Sequence, residues 1–186
     1  FNEIRKILRK KGYKFFSTGD TEVILLAWKE WGENMLKLLD GMFAFSILDK
    51  KKGKIFIARD YFGEKPLYYK ITDDKFIWSS ELKSIVNTFK DKNEIDKDAL
   101  SLYFQLTYIP APYTIYKEVK KLLPNHYLEI DINTLDISEN IISKPKPNIV
   151  SKINFNEAKK ITRDLVLKSV KSRSVSDVPI GTFLSG

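Results

Sequence analysis

Met42-Phe43-Ala44-Phe45-Ser46-Ile47-Leu48, Asp49-Lys50-Lys51-Lys52-Gly53 and Lys54-Ile55-Phe56-Ile57-Ala58-Arg59 follow one another without a gap. Their reading decides the fold. The first run is apolar and β-prone, long enough for a buried central strand. The second is charged and ends in glycine, which marks a turn. The third alternates and returns as a hairpin partner. The lysine cluster at 50–54 therefore reads as a solvated turn, not as a nucleic-acid patch, although the net charge is +8.

Outward from this hairpin, strands and turns continue on the C-terminal side. Leu67 to Lys70 and Phe76 to Ser79 predict a second hairpin around Thr72-Asp73-Asp74, and His126 to Asp131 with Leu135 to Ile142 a third. Short helices are expected at Glu81 to Val86 and at Asp96 to Phe104, the latter with Asp96 as N-cap. Pro110-Ala111-Pro112 breaks the chain. On the N-terminal side, Phe1, Ile4, Ile7 and Leu8 recur at helical spacing and Gly12 stops them. Tyr13 to Ser17 reads as a short strand, and Thr18-Gly19-Asp20 as a turn. Thr21 to Trp31 is a second helix closed by Gly32, and Met35 to Leu39 adds about a turn.

Lys144-Pro145-Lys146-Pro147-Asn148 is an extended, solvated linker. Phe155 to Ser174 then predicts a helix with Ala158, Ile161, Leu165, Val166 and Val170 on one face, and Ile180 to Leu184 a buried strand. The domain reading is α+β with antiparallel strands over residues 1–143, a linker over 144–154, and the first helix and strand of an α/β domain over 155–186. Phe1 opens directly inside an amphipathic pattern and Gly186 directly follows an apolar run. The expectation is a chain cut on both sides.

Composition narrows the chemistry. Hydrophobic residues make up 43% of the chain and aromatics 13%, enough for a packed core despite 30% charged residues. No apolar run approaches the ~20 residues that span a bilayer, so a soluble cytoplasmic protein is expected. There is no cysteine, which removes disulfides, thiolate nucleophiles and cysteine-ligated zinc from the chain as it stands. The single histidine, His126, leaves little room for a histidine-based metal site or a Ser-His triad.

Four segments then combine. They are Gly19-Asp20-Thr21-Glu22-Val23-Ile24-Leu25, Leu39-Asp40-Gly41-Met42-Phe43-Ala44-Phe45, a third group, and Ser176-Asp177-Val178-Pro179-Ile180-Gly181-Thr182-Phe183-Leu184-Ser185-Gly186. The third group is Ala58-Arg59-Asp60 with Phe62-Gly63-Glu64-Lys65-Pro66-Leu67-Tyr68-Tyr69 and Ser79-Ser80-Glu81-Leu82-Lys83. In this order the chain resembles the glutamine-hydrolysing asparagine synthetases over essentially its whole length. The resemblance implies an N-terminal-nucleophile hydrolase type αββα sandwich, incomplete at its N-terminus. It implies next the start of an ATP-pyrophosphatase-type domain (adenine nucleotide α-hydrolase-like).

In that family a first-residue cysteine attacks the side-chain amide of glutamine, and ammonia crosses a tunnel to a second site. There aspartate and ATP form β-aspartyl-AMP, which ammonia converts to asparagine. The resemblance therefore implies glutamine, aspartate and ATP with Mg as small-molecule partners, and a homodimer of the complete enzyme. No nucleic acid, membrane or dedicated metal site is expected, and no catalytic nucleophile lies within this chain.

Residue by residue, Asp20 matches the carboxylate that receives the α-amino group of glutamine. Read from the residues alone, it caps the helix that begins at Thr21, a role compatible with the first. Met42 matches a tunnel-lining position or is a core methionine. Phe183, Leu184, Ser185 and Gly186 match the start of the ATP loop, where glycines and helix N-terminal amides cradle pyrophosphate. Arg59-Asp60 with Gly63 and Pro66 reads as a rigid structural turn, Arg59 pairing with a carboxylate or carbonyls. Ser80 either caps the helix after it or lines the glutamine cleft, and Glu81 is similarly open. Glu64 departs from the branched apolar residue usual there. Asn125 replaces the glycine of Pro-Gly-His, with Asn125-His126 reading as a turn.

The residues admit two other functions. One is a related amidotransferase acting on another carboxylate, in a cell-surface sugar pathway or in β-lactam formation. The other is a non-enzymatic basic β-rich binding module, which predicts salt-sensitive nucleic-acid binding.

Overall fold

The hairpin from which the sequence reading starts is present, with Ala44–Asp49 (β1) paired antiparallel to Lys54–Arg59 (β2) in the register Ala44↔Arg59 to Asp49↔Lys54. The computed structural model describes residues 1–89, 93–144, 153–176 and 178–183. The turn is closed by Asp49, whose carboxylate accepts from the backbone N–H groups of Lys51 and Lys52 and from the Trp28 indole. Its pKa is lowered, first by the indole and then by those amides, against the opposing effect of burial. The lysine cluster is thus a turn, with Lys52 over the Trp28 ring.

His126–Asp131 (β6) joins β2 from the other side and Ile137–Ile141 (β7) follows, so the first sheet runs β1-β2-β6-β7, all antiparallel. Tyr68–Ile71 (β3), Phe76–Ser79 (β4) and the short Val119–Lys121 (β5) form a second sheet in the order β4-β3-β5. Ile57, Leu128 and Ile130 from the first sheet pack with Leu67, Tyr69 and Leu122 in one buried cluster, so the sheets face each other. Each such side chain removed from water contributes roughly 1.5–3 kcal/mol.

Helices Asn2–Lys10 (α1) and Asp20–Trp31 (α2) cover the outer face of the first sheet. Ile4, Leu8, Val23 and Ala27 pack there with Met35 and Ile47, and Trp28 lies 4.4 Å from the Phe56 ring. Leu82–Thr88 (α3) packs on β3 and β4 with Ile85 fully buried. Tyr69 faces the other sheet, so its neighbour Lys70 faces outward, and the Lys70 ammonium sits 4.4 Å from the Phe89 ring at the end of α3. The layering is helix, sheet, sheet, helix. Lys97–Leu106 (α4) starts at Asp96, which accepts from the amides of Asp98 and Ala99 as the sequence predicts.

Three expectations are corrected. Tyr13 to Ser17 is not a strand: the Phe16 and Ser17 amides donate to the Glu22 carboxylate, which takes the place of a ladder partner. The strand at Met42 to Leu48 begins only at Ala44 and lies at the edge of its sheet, not at the centre. Residues 180–183 of the expected Ile180–Leu184 strand are exposed and form none, because no described strand pairs with them. β5 adds a strand that the sequence reading did not assign.

The chain divides into two compact units, Phe1–Lys144 and Pro145–Gly186. Within the second, Phe155–Arg173 (α5) is capped by the Asn154 side chain, which accepts from the Glu157 amide. Its stripe of Ile161, Leu165, Val166 and Val170 is exposed. Most of the expected linker, residues 145–152, lies outside the described residues.

Candidate functional site

A cavity of about 400 Å³ opens beside the N-terminus of α2. Its lining is Asp20, Thr21 and Ile24 from α2, the run Met42 to Phe45 at the start of β1, Lys65 and Pro66 from the loop after β2, and Ser80 after β4. Three residues singled out in the sequence, Asp20, Met42 and Ser80, are thereby brought to one place. The wall is mainly apolar: Ile24, Met42, Phe43, Ala44, Phe45 and Pro66. Asp20 supplies a carboxylate, Lys65 an amine and Ser80 a hydroxyl. Such a site suits a small solute with an aliphatic body and charged ends.

The capping role weighed for Asp20 is not what the structure shows. Gly19 is the N-cap of α2, no side chain caps it, and Asp20 is its first helical residue, exposed to solvent. Its carboxylate is therefore not committed to capping. Met42 is 45% exposed, whereas Met35 is fully buried, so Met42 is a surface of the cavity and not a core methionine. Ser80 does not cap α3 either: Glu81 occupies the cap, and the Ser79 hydroxyl accepts from the Glu81 amide. Glu81 is not among the lining residues.

Two polar assemblies hold the cavity's walls. The first shapes the approach to α2. Arg5, 8% exposed on α1, donates to the carbonyls of Ser17 at 2.7 Å and Gly19 at 2.5 Å, with its guanidinium over the Phe15 ring. Glu22 accepts from the amides of Phe16 and Ser17, each at 2.8 Å, and from the Ser17 hydroxyl at 2.6 Å. The Ser17 hydroxyl first, and then the Phe16 amide, hold the Glu22 carboxyl below its usual range.

The second assembly shapes the loop after β2. Asp60, with no exposed surface, accepts from the amides of Phe62, Glu64, Lys65 and, at a longer 3.4 Å, Phe43. Burial pushes its pKa up, but the amides of Lys65, Glu64, Phe62 and Phe43 outweigh burial and leave it lowered. Arg59 donates to the carbonyls of Lys65 at 2.8 Å, Gly63 at 2.6 Å and Leu122 at 2.5 Å, which decides for carbonyls between the two kinds of partner the sequence left open. Burial lowers its pKa, opposed by the adjacent Asp60 charge. Gly63 has φ +66°, and a Cβ there would lie 2.9 Å from both the Arg59 guanidinium carbon and Pro124 Cγ. Only glycine fits. Asn125, at φ 62°, takes the left-handed turn expected of it, and its side chain binds Ser143 on both backbone atoms.

Comparison with known proteins now bears on this geometry. Residues 1–140 match the glutamine amidotransferase domain family. The chain belongs to that family. This amidotransferase chain is 44% identical to a protein of Methanocaldococcus jannaschii provisionally named asparagine synthetase [glutamine-hydrolyzing] 2, over 90% of this chain and 33% of that protein. It is 36% identical to asparagine synthetase [glutamine-hydrolyzing] 3 of Bacillus subtilis, over 99% of this chain and 30% of that protein. It is 38% identical to asparagine synthetase [glutamine-hydrolyzing] 1 of the same organism, over 99% of this chain and 29% of that one. The chain thus spans about a third of the length of these relatives. Among solved structures, it superposes on the glutamine phosphoribosylpyrophosphate amidotransferase of B. subtilis with a TM-score of 0.54 at 18% identity, over 77% of this chain and 27% of that one. That likeness concerns the fold alone, and it agrees with an α+β architecture of antiparallel sheets.

Phe183 is fully exposed in the second unit, and Leu184, Ser185 and Gly186 lie outside the described residues. No described helix is long and apolar enough to cross a membrane. Arg5 is absent from the sequence motifs, and Glu22 and Lys65 stand within them without an assigned role. Arg5 carried one signal, a cation next to Ile4 on the buried face of an amphipathic helix. Glu22 carried another, a carboxylate three residues after the N-cap.

Proposed function

We propose that the cavity at Asp20 receives glutamine, and that the complete protein is a glutamine-hydrolysing asparagine synthetase. The observation that carries this reading is the convergence of Asp20, Met42 and Ser80 on one mainly apolar cavity. Three relatives bearing that enzyme's name support it. Asp20 faces the α-ammonium group of glutamine, a charge-assisted contact. The apolar wall takes the methylenes, and Met42 lies along the route by which ammonia leaves. This chain has no cysteine, so the nucleophile that attacks the glutamine amide is supplied by sequence outside it.

The same reading extends to the second unit. Phe183 to Gly186 begin an ATP loop, α5 opens an ATP-pyrophosphatase-type domain, and the complete enzyme amidates aspartate through β-aspartyl-AMP. ATP with Mg is a substrate of that half, and the reaction belongs in the cytoplasm, carried out by a homodimer. Among the described residues no cluster of three or more acidic or histidine side chains is placed to hold a metal ion.

The test is an assay of the complete protein with glutamine, ATP and aspartate. Asparagine should form, and Asp20→Asn should raise KM for glutamine by about tenfold or more, the loss of one charge-assisted contact. Asparagine formation that does not depend on glutamine, or an unchanged KM in Asp20→Asn, overturns the reading.

A further inference from the structure

We infer that Arg5 and Glu22 are positioning residues for glutamine recognition, acting through the loop 16–19 that delivers Asp20 to the cavity. The inference rests on Asp20 receiving the α-ammonium group.

Three observations carry it. The loop before α2 forms no strand and no side chain caps the helix, so neither usual device fixes residues 16–19. The Arg5 guanidinium instead collects carbonyl oxygens, from Ser17 and Gly19. The Glu22 carboxylate collects donors, from the Phe16 and Ser17 amides and the Ser17 hydroxyl. Gly19, held by Arg5, is the residue immediately before Asp20.

A carboxylate three residues after a helix N-cap ordinarily reaches back to the N-cap amide. Glu22 reaches further, to residues 16 and 17. That longer reach fixes a loop and not merely a helix end. An exposed aspartate on a free loop would lose rotamer and backbone freedom on binding an ammonium group. A clamped loop has given up that freedom before the ligand arrives. Both clamp residues therefore act on affinity without touching the ligand.

The test is a double-mutant cycle in the full-length protein that carries this chain. Glu22→Gln keeps the side chain's size but replaces one accepting oxygen with an amide nitrogen. It should raise KM for glutamine about tenfold in the wild-type background and less than about twofold in Asp20→Asn, since the two act through one contact. Arg5→Lys, which cannot fork to two carbonyls, should behave likewise. Ser17→Ala removes only the hydroxyl that donates to Glu22, so it serves where either clamp variant fails to fold. It should raise KM about threefold and lose that effect in Asp20→Asn.

Equal losses in both backgrounds overturn the inference and leave the reading of Asp20 standing, because the clamp then supports only the fold. Unchanged KM in all three clamp variants, with Asp20→Asn impaired, also overturns it. An Asp20→Asn variant with unchanged KM removes the reading of Asp20 itself and the inference with it.

Discussion

The two walls of the cavity are built alike and protected differently. At each, an arginine gathers backbone carbonyls and a carboxylate gathers backbone amides: Arg5 with Glu22 on the α2 side, Arg59 with Asp60 after β2. Asp60 is fully buried and has four amide donors. Glu22 is half-buried, and its loop carries Phe16 at 96% exposure. The same device therefore makes a rigid wall on one side and a lighter, solvent-facing one on the other. Desolvation decides the difference, because an amide stripped of its acceptor costs most where water cannot replace it.

The sharpest way to break the parallel is Asp60→Ala. It strands buried amides without an acceptor and should destabilise the fold by about 3 kcal/mol or more, read by chemical denaturation. Glu22→Ala in the same assay should cost clearly less, because water reaches its donors. Equal losses would mean that burial does not separate the walls.

A second contrast uses glycines. Gly63→Ala should destabilise by about 1–3 kcal/mol, since it combines a positive φ with contacts inside van der Waals distance. Gly19 has nothing within 4 Å of a built Cβ and an ordinary φ of −70°. Gly19→Ala meets no such strain and should cost only about 0.5–1 kcal/mol, the preference of an N-cap for glycine over alanine, with thermal melting as the readout.

Acid should sharpen the comparison more gently. Both carboxylates are lowered in the folded protein. Their contribution is thus full above the unfolded value of about 4 and is lost as pH falls through the folded values. Protection of the Phe16 and Ser17 amides on one wall, and of the Glu64 and Lys65 amides on the other, taken against the intrinsic exchange rate at each pH, should hold at neutral pH and fall only in acid. Quickening on the alkaline side, beyond the intrinsic rate, would contradict this sign.

Much of the fold was legible because the signals were local. The β1–β2 hairpin and the Asp96 cap each rest on contiguous residues and appear as expected. The β5 strand of three residues had no such signal, for its partner β3 lies about fifty positions earlier. Tyr13 to Ser17 carried β-prone residues but no ladder partner, and Glu22 took its amides. The second wall was visible because Arg59 and Asp60 are adjacent, whereas Arg5 and Glu22 are separated by a helix and a loop. Asp20, Met42 and Ser80 came from the family resemblance. Their meeting in one cavity could be seen only in three dimensions.

The Arg59 bond to the Leu122 carbonyl spans 63 residues, and the Asn125 amide donates to the Asp60 carbonyl. During synthesis on the ribosome, the loop after β2 can therefore emerge with its local bonds to Arg59 and Asp60 but without the two that tie it to residues 122–125. The wall gains its full set of contacts only once the segment leading into β6 has cleared the exit tunnel.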